Sequence, residues 1–481
     1  MIYPRGHQAG LFILKNILLV LLVAISPAAT VAGETLSATK RPNIVWIVGD
    51  DLGVQIAPYG DAGAVTPTLD KIAKIGTRFS KAFAASPTCA PSRSALITSR
   101  YPTEIGTHNH RSRLTTPPPT MLELLAAAGY HIAWPESAEQ GKTDFNFDSP
   151  QLTKATTDWP DDSPPEPFFA YVNDMIMHEG KLLTDDATHQ RLTAELSPTE
   201  RQNPRSVTIP PYFPDTPEVR QSFARYGELV TIFDRNVKNL LAMLRKQGVL
   251  ERTVIMVFGD NGAPFPRGKR FLYEAGIRVP LLMVGPGIDR DIVRTDLVSL
   301  LDIAPTTLAL AGVKPPPTMS GRVLLGPEAD PPPSFVIATR DRTDEVPDKM
   351  RAVHDGRFLY IRNFMPEIPQ HSSLPAYARG SRVWKSVVDQ RALGSLDATQ
   401  QGFFAARKPA EELYDVTSDP YQVRNLAAYP EYESVLSRMR DRLIKWRRSH
   451  DTLGDSAESE LMREGVLSNP GRTTIVPFGS R

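Results

Sequence analysis

The sequence predicts an α/β protein in which helices cover a central, mainly parallel sheet, with a smaller antiparallel α+β domain towards the C-terminus. Two observations predict this class. Continuous apolar runs at residues 43–48, 168–172 and 253–258 are typical of buried parallel strands, and helical segments lie between them. After residue 334 the chain changes to short alternating segments around a turn sequence, which is typical of antiparallel strands.

The N-terminus predicts export. Arg5 and Lys15 precede an uninterrupted apolar run at residues 17–25, and a stretch of small residues follows. Nine apolar residues are too few to cross a bilayer, so we expect a signal peptide over residues 1–32, cleaved near Ala32, and no stable membrane span. An uncleaved signal anchor is the alternative. The expected destination is the periplasm, the cell exterior or a lysosome-type compartment.

Length and charge limit the remaining possibilities. A chain of 481 residues is too long for one small core, which favours two unequal domains. We expect the catalytic domain at residues 40–335, the antiparallel domain at 336–450 and a loose tail at 451–481. With 55 Lys and Arg against 54 Asp and Glu, nothing favours a nucleic-acid partner, and an anionic ligand requires a local cluster of positive charge.

The elements of the larger domain follow from local signals. Each strand begins or ends beside a turn residue, and Gly129 and Gly248 close the second and third of the predicted helices. The predicted helices cover residues 68–83, 120–128 and 218–246. The strand at 168–172 leads into a loop that carries His178.

The smaller domain begins with a hairpin. Residues 350–354 and 358–362 flank Asp355 and Gly356, a pair that favours a tight turn. A further strand is expected at 411–416 and a closing helix at 431–448.

Oxygen-bearing side chains follow two of the predicted parallel strands. Asp50 and Asp51 come after the first strand, and Asp260 and Asn261 come after the strand at 253–258. One such pair could simply cap a turn. Two pairs at the carboxyl ends of parallel strands supply the oxygen donors that Ca²⁺ prefers, and no Cys and His cluster competes for zinc.

The single cysteine, Cys89, lies in the string Cys-Ala-Pro-Ser-Arg, which opens a predicted helix with Pro91 in its first turn. A lone cysteine is usually a small buried apolar residue, and no intrachain disulfide can form. At a helix N-terminus, however, free N–H groups and the helix dipole favour an anionic group next to the thiol.

From Arg41 to about Ala428 the chain resembles the type I sulfatases of the alkaline phosphatase superfamily, whose α/β/α sandwich the resemblance implies here. In that family the cysteine of a C-x-P-S-R string is converted to formylglycine by a maturation enzyme. The similar segments occur in family order: 42–53, 66–70, 89–102, 128–130, 260–262, 278–281 and 412–427.

The resemblance assigns roles residue by residue. The calcium ligands are Asp50, Asp51, Cys89 in its modified form, Asp260 and Asn261. Arg93 orients the hydrated aldehyde, and Lys269 binds sulfate. Lys142 matches the lysine of a Gly-Lys-x-His segment, and His178 matches the histidine beside the leaving group, a position suited to a general acid. Taken alone, the two lysines would be read as solvated surface charges.

One position departs from the family. Asp144 stands where Gly-Lys-x-His has its histidine, so the usual base is missing there. We expect Asp144 to position Lys142 and the aldehyde hydrate, and a histidine such as His108 to share proton removal. His108 and His110 are also candidates for substrate contact, although both could be ordinary loop residues.

The resemblance implies a calcium-dependent sulfuric ester hydrolase acting on a sulfated carbohydrate. The string at 260–266 resembles the sulfamidase branch, so an N-sulfoglucosamine-type substrate is one alternative. A phosphatase or phosphonate hydrolase on the same scaffold is another, and a glycan-binding pseudoenzyme is a third. Arg340 and Arg342 are candidate substrate contacts, with interdomain ion pairs as the alternative.

Overall fold

The computed structural model describes residues 41–61, 64–134, 143–149, 151 and 165–468. The predicted signal peptide at 1–32 lies outside these residues. Within the described part of the chain, no helix is both long enough and apolar enough to cross a membrane.

The larger sheet has eight strands in the order β3-β4-β1-β5-β7-β2-β6, with β8 also pairing with β2. Their bounds are β1 Asn43–Gly49, β2 Thr77–Phe83, β3 His131–Ala133, β4 Phe168–Asp174, β5 Thr253–Gly259, β6 Arg278–Val279, β7 Leu281–Val284 and β8 Ile292–Ser299. The three predicted parallel strands are β1, β4 and β5, and they lie side by side at the centre of the sheet.

The central strand β1 is buried along its whole length, and alternate residues contribute to two separate cores. Val45 and Ile47 belong to the core that includes side chains of the long helix at 217–246. Trp46 and Val48 belong to the core on the other face. Because consecutive side chains of a strand point to opposite faces, a sheet with helices on both sides requires this continuous apolar run.

Fourteen α-helices are present among the described residues. They are α1 Pro67–Ile75, α2 Cys89–Thr98, α3 Pro102–Ile105, α4 Met121–Ala127, α5 Glu179–Leu182, α6 Asp186–Leu192, α7 Pro217–Lys246, α8 Glu274–Ile277, α9 Ile303–Leu310, α10 Ala376–Arg379, α11 Arg382–Ala392, α12 Ala398–Gln401, α13 Glu433–His450 and α14 Glu458–Arg463. Side chains of α1 and α7 pack into one core and those of α2, α4 and α9 into the other.

The second sheet is antiparallel and has the order β12-β11-β10-β9. Its strands are β9 Val336–Arg340, β10 Met350–His354, β11 Phe358–Asn363 and β12 Glu411–Asp415. The predicted hairpin is confirmed: β10 and β11 pair around Gly356, whose φ of 92° is readily adopted by glycine. The expected α/β fold with a smaller antiparallel sheet is therefore present, and α13 forms the closing helix. The domain boundary near residue 335 stays a prediction.

The predicted helix at 68–83 is wrong in its second half. The helix ends at Ile75, and residues 77–83 form strand β2. Gly76 allows the change, since a Cβ atom there would lie 2.1 Å from the carbonyl oxygen of Met283 on the neighbouring strand. Sheet pairing on both sides of β2 outweighs its helical periodicity.

The loose tail predicted after Ser449 is also wrong for the residues that the structure describes. Residues 458–463 form α14, and Leu467 makes a β-bridge with Leu114. Leu461 and Leu467 are 0% and 1% exposed and belong to one of the two cores of the larger sheet. The segment up to residue 468 therefore packs against the larger sheet and its helices.

We expect Leu461→Ala to lower the free energy of unfolding by about 2–5 kcal/mol, because truncating a fully buried leucine leaves a cavity. Leu393→Ala is the matched control, since Leu393 is 74% exposed, and its effect should stay within about 0.5 kcal/mol. Urea denaturation of both variants measures the difference. Equal free energies of unfolding for the two variants would show that Leu461 does not stabilise the core.

Candidate active site

Adjacent parallel strands bring the two oxygen-bearing pairs together. Gly49 at the end of β1 is in register with Gly259 at the end of β5, so the residues that follow these glycines meet at one edge of the sheet. A Cβ atom on Gly259 would lie 2.0 Å from the Leu52 carbonyl oxygen, and only glycine allows this approach. The backbone N–H of Asp51 donates to Asp260 Oδ1 at 3.0 Å.

Cys89 completes this cluster from the first position of α2. Its Sγ lies 3.5 Å from Asp50 Oδ1 and 3.8 Å from Asp51 Oδ1. One ligand atom from each of Asp50, Asp51, Cys89 and Asp260 falls within 4.8 Å of the others, and all four residues are buried. The sulfur here is that of the unmodified thiol and marks the position that an oxidised side chain would occupy.

Asn261 supplies the strongest indication that the cluster suits a cation. Its Nδ2 donates to Asp51 Oδ1 at 2.8 Å and to the carbonyl oxygen of Gly262, which orients the amide. Its Oδ1 is buried and has no hydrogen-bond partner among the described residues. A buried amide oxygen without a donor, set beside three carboxylates, fits a hard cation such as Ca²⁺.

Arg93 balances part of the negative charge. This fully buried guanidinium donates from Nε to Asp260 Oδ2 at 2.8 Å, from Nη2 to Asp50 Oδ2 at 3.1 Å and from Nη1 to the Tyr171 hydroxyl at 2.8 Å. Burial raises the pKa of Asp260 to about 6, with Asp50 and Asp51 acting in the same direction and Arg93 opposing them. Arg93 therefore holds two of the three carboxylates in place.

Lys269 reaches the third carboxylate. Its Nζ lies 2.6 Å from Asp51 Oδ1 and 2.9 Å from Asp51 Oδ2. Burial raises the pKa of Asp51, whereas the charge of Lys269 and its hydrogen bond lower it, and the pKa of Asp51 lies below its usual value overall. Three buried carboxylates face two cations, which leaves an excess of negative charge that a divalent cation would offset.

A second ion pair, between Glu179 and Arg270, supports this arrangement and is absent from the sequence predictions. Arg270 donates to Glu179 through both Nη atoms, at 3.0 and 2.6 Å, and the Glu179 backbone N–H donates to Asp51 Oδ2 at 2.8 Å. The sequence signal that could have identified these two residues is their position: Glu179 follows His178, and Arg270 follows Lys269. The pairing itself joins positions 91 residues apart, so no local pattern could show it.

His178 caps the N-terminus of α5 and is half-buried. Its Nδ1 accepts a hydrogen bond from the Gly180 backbone N–H at 3.1 Å. A neutral imidazole in this arrangement carries its proton on Nε2, the tautomer that can donate to a leaving oxygen. The backbone N–H of the next residue, Glu179, donates to Asp51 Oδ2, which places His178 next to the cluster. General acid catalysis by His178 stays a prediction.

The Gly-Lys-Thr-Asp segment is described only from its third position. Lys142 lies outside the described residues, and Asp144 has a φ of 52°. The segment is anchored two residues later, at Asn146. Its backbone N–H donates to the Ser94 hydroxyl of α2, and its side-chain Oδ1 accepts from that hydroxyl. Its Nδ2 donates to carbonyl oxygens of the loop at 109–112. The catalytic roles of Lys142 and Asp144 stay predictions.

The two histidines of the loop have different surroundings. His110 Nδ1 lies 3.0 Å from Asp344 Oδ1, and the charges of Asp344 and Asp144 act on it. The charges acting most strongly on His108 are Asp341 and Arg351. Burial lowers the pKa of both histidines. His110 is therefore the histidine that contacts Asp344, and proton removal shared with His108 stays a prediction.

Arg340 and Arg342 make protein contacts of the kind expected for structural ion pairs. Arg340 is 1% exposed, lies 3.3 Å from Asp348 and donates to the Ser373 carbonyl oxygen. Arg342 donates to both carboxylate oxygens of Glu458, at 2.6 and 2.7 Å. Arg340 thus contacts residues of the same predicted domain and Arg342 contacts α14, and direct substrate binding by either arginine stays a prediction.

Comparisons with known proteins agree with this geometry. A sequence model of the family described as Sulfatase matches residues 42–313. The chain is 33% identical to an ulvan-active sulfatase of Formosa agariphila, with 89% of this chain and 78% of that protein covered. It is 26% identical to the human N-sulphoglucosamine sulphohydrolase, with 86% and 92% covered. The solved structure of a 2-O GAG sulfatase superposes with a TM-score of 0.61 at 18% identity, covering 87% of this chain and 94% of that one.

Proposed function

The chain belongs to the sulfatase family and hydrolyses sulfate esters, and we propose that its substrate is a sulfated saccharide cleaved with a formylglycine at position 89 and one Ca²⁺. Two relatives whose names refer to ulvan and to N-sulphoglucosamine support the saccharide. A formylglycine-generating maturation enzyme is the partner that this proposal requires.

The observation that carries the proposal is the position of the Cys89 thiol. The side chain is buried at the first position of α2, and its sulfur faces the carboxylates of Asp50 and Asp51. An ordinary buried cysteine packs against apolar side chains. A thiol placed among carboxylates and cations is instead at the centre of a polar site, where its oxidised form can meet an anionic ester.

The donor set defines what a metal would do. Asp50, Asp51, Asp260 and Asn261 would hold the Ca²⁺, which when bound would supply fixed positive charge beside the sulfate group. Arg93 keeps two of these carboxylates in position, and Lys269 adds a positive charge next to Asp51. Both cations lower the cost of bringing an anionic ester into a buried site.

The remaining chemistry belongs to residues around the cluster. His178 donates its Nε2 proton to the oxygen or nitrogen that leaves sulfur, since Nδ1 is already occupied by the Gly180 N–H. The N-terminal N–H groups of α2 favour the negative charge of the sulfate group. In this proposal Asp144 and Lys142 position the nucleophile.

Export and domain organisation complete the proposal. The predicted signal peptide at 1–32 supports action outside the cytoplasm. Residues 40–335 form the catalytic domain, and residues 336–450 form the domain that borders the site through Asp344. The ion pair between Arg270 and Asp344, 3.6 Å apart, supports a shared site at this border.

Sulfate release from a panel of defined substrates tests the proposal. The panel pairs O-sulfated uronate-containing and amino-sugar saccharides with N-sulfoglucosamine, an aryl sulfate, an aryl phosphate and a phosphonate monoester. We expect sulfate from at least one saccharide and no comparable phosphate or phosphonate release. The same chain produced without a maturation enzyme is the control, and it should be inactive.

Each alternative corresponds to a different outcome of this panel. Release from N-sulfoglucosamine alone would indicate a sulfamidase. Preferred cleavage of the phosphate or phosphonate would indicate the corresponding hydrolase. Saccharide binding without turnover by the matured protein would indicate a pseudoenzyme. Efficient cleavage of the aryl sulfate and of no saccharide would contradict the proposed substrate class.

A further inference from the structure

Tyr377 lies beside His178, although it is distant from it in the sequence. A Cβ atom placed on Gly180 would lie 3.1 Å from the Tyr377 hydroxyl oxygen and 3.3 Å from His178 Nδ1. The phenol hydroxyl and the imidazole therefore both lie close to the same point beside Gly180. Because Gly180 lacks a side chain, nothing from that position separates the two rings.

Tyr377 lies near charged residues that surround the cluster of Asp50, Asp51, Cys89 and Asp260. Burial raises the pKa of its hydroxyl, and the charges that act on it are those of Glu179, Lys269, Arg270 and Asp51. Glu179 and Lys269 contact Asp51, and Arg270 contacts Glu179. The Tyr377 hydroxyl lies close to His178 at the edge of this group, whereas the residue as a whole remains 47% exposed.

The segment that carries Tyr377 is held rigidly. Leu374 and Ala378, on either side of it, are 1% and 4% exposed. The Ser373 carbonyl oxygen accepts from Arg340 Nη2 at 2.7 Å, and the Ser373 hydroxyl donates to Asp348 Oδ2 at 2.6 Å. The Ala376 backbone N–H donates to Glu345 Oε1 at 2.5 Å.

Lys408 adds to this support, since its Nζ lies 2.9 Å from both carboxylate oxygens of Asp348. Arg340, Asp348 and Lys408 thus form a buried ion cluster beneath Ser373. An exposed aromatic ring on a fixed backbone loses little conformational entropy when a ligand packs on it. The cluster gives Arg340 a clear role in positioning this segment.

We propose that Tyr377 is a specificity residue that contacts the sugar ring bearing the sulfate, on the leaving-group side of His178. This inference rests on the proposed function. A half-exposed tyrosine offers an apolar ring face to the C–H groups of a sugar and a hydroxyl at its polar end. The alcohol that leaves sulfur must lie next to the general acid, and Tyr377 forms the neighbouring surface at that point.

Binding and turnover of Tyr377→Ala and Tyr377→Phe test the inference. With the saccharide that gives the highest rate in the substrate panel, we expect Tyr377→Ala to raise KM at least about tenfold. Tyr377→Phe keeps the ring face and should stay within about threefold of the parent protein. Tyr429→Ala is the matched control, since Tyr429 is 38% exposed and packs on Arg424.

A second readout separates contact from folding. In a Cys89→Ala background, which cannot turn over, calorimetric titration with the same saccharide should show weaker binding for Tyr377→Ala and unchanged binding for Tyr429→Ala. The melting temperatures of all variants should agree. The ring contact would be overturned if Tyr377→Ala had the KM and the saccharide affinity of the parent protein. It would also be overturned if the Ala and Phe variants lost the same amount of affinity. If the parent protein itself cleaves no saccharide, the proposed function fails instead.

Discussion

Cys89→Ser is expected to abolish sulfate release, with a loss of at least about 1,000-fold in kcat, while the fold is retained. Serine replaces the thiol almost isosterically at the first position of α2, so the packing of this helix should not change. A single hydroxyl can attack sulfur but cannot regenerate a carbonyl, whereas a hydrated aldehyde can do both. The serine variant should therefore lose turnover even though it still binds the substrate.

Three measurements check this result. Ion chromatography gives the rate of sulfate release, thermal denaturation gives stability, and peptide mass spectrometry gives the chemical state of residue 89. Thr98→Ser, at the other end of α2, is the control because its hydroxyl can keep the bond to the Ser94 carbonyl oxygen. Active parent protein that contains only unmodified cysteine, or a serine variant with the parent rate, would contradict the formylglycine assignment.

The second large effect is expected from Asp260→Asn, which should weaken Ca²⁺ binding by roughly 100-fold or more. The change removes one negative charge from a cluster of three carboxylates and takes away a charged partner of Arg93. Asparagine keeps the size of the side chain and one acceptor oxygen, so the bond from the Asp51 N–H can persist. Turnover should fall together with metal affinity.

Calorimetric titration of the metal-stripped protein with CaCl₂ measures the affinity directly, independently of activity. Asp302→Asn is the matched control, because Asp302 is also buried, with a pKa raised to about 6 by burial, and lies outside the metal cluster. Unchanged Ca²⁺ affinity in Asp260→Asn would remove this residue from the ligand set. If active protein contains stoichiometric zinc, and if its activity is unchanged by chelation and by added calcium, the calcium site is excluded.

Local sequence signals predicted the elements that depend mainly on neighbouring residues. The apolar runs of β1, β4 and β5 identified strands buried on both faces, and the glycine after residue 355 identified the β10–β11 hairpin. Strand β2 was misassigned because its periodicity resembles that of a helix, whereas its pairing partners lie about 200 residues away. The C-terminal helix α14 was missed for a related reason, since the core that buries Leu461 and Leu467 is formed by residues distant in the sequence.

By itself the sequence determined the fold class, the two oxygen-bearing pairs at strand ends and the position of Cys89 at a helix N-terminus. Each of these depends on residues that are adjacent or follow one repeating pattern. Only the tertiary structure decided that Arg270 pairs with Glu179, that His110 meets Asp344 and that Tyr377 stands beside His178. The first pair joins residues that are 91 positions apart in the sequence, and the second joins residues that are 234 positions apart. Tyr377 and His178 are likewise distant in the sequence. Such contacts depend on how the sheets and loops pack, and a local sequence pattern carries no information about that packing.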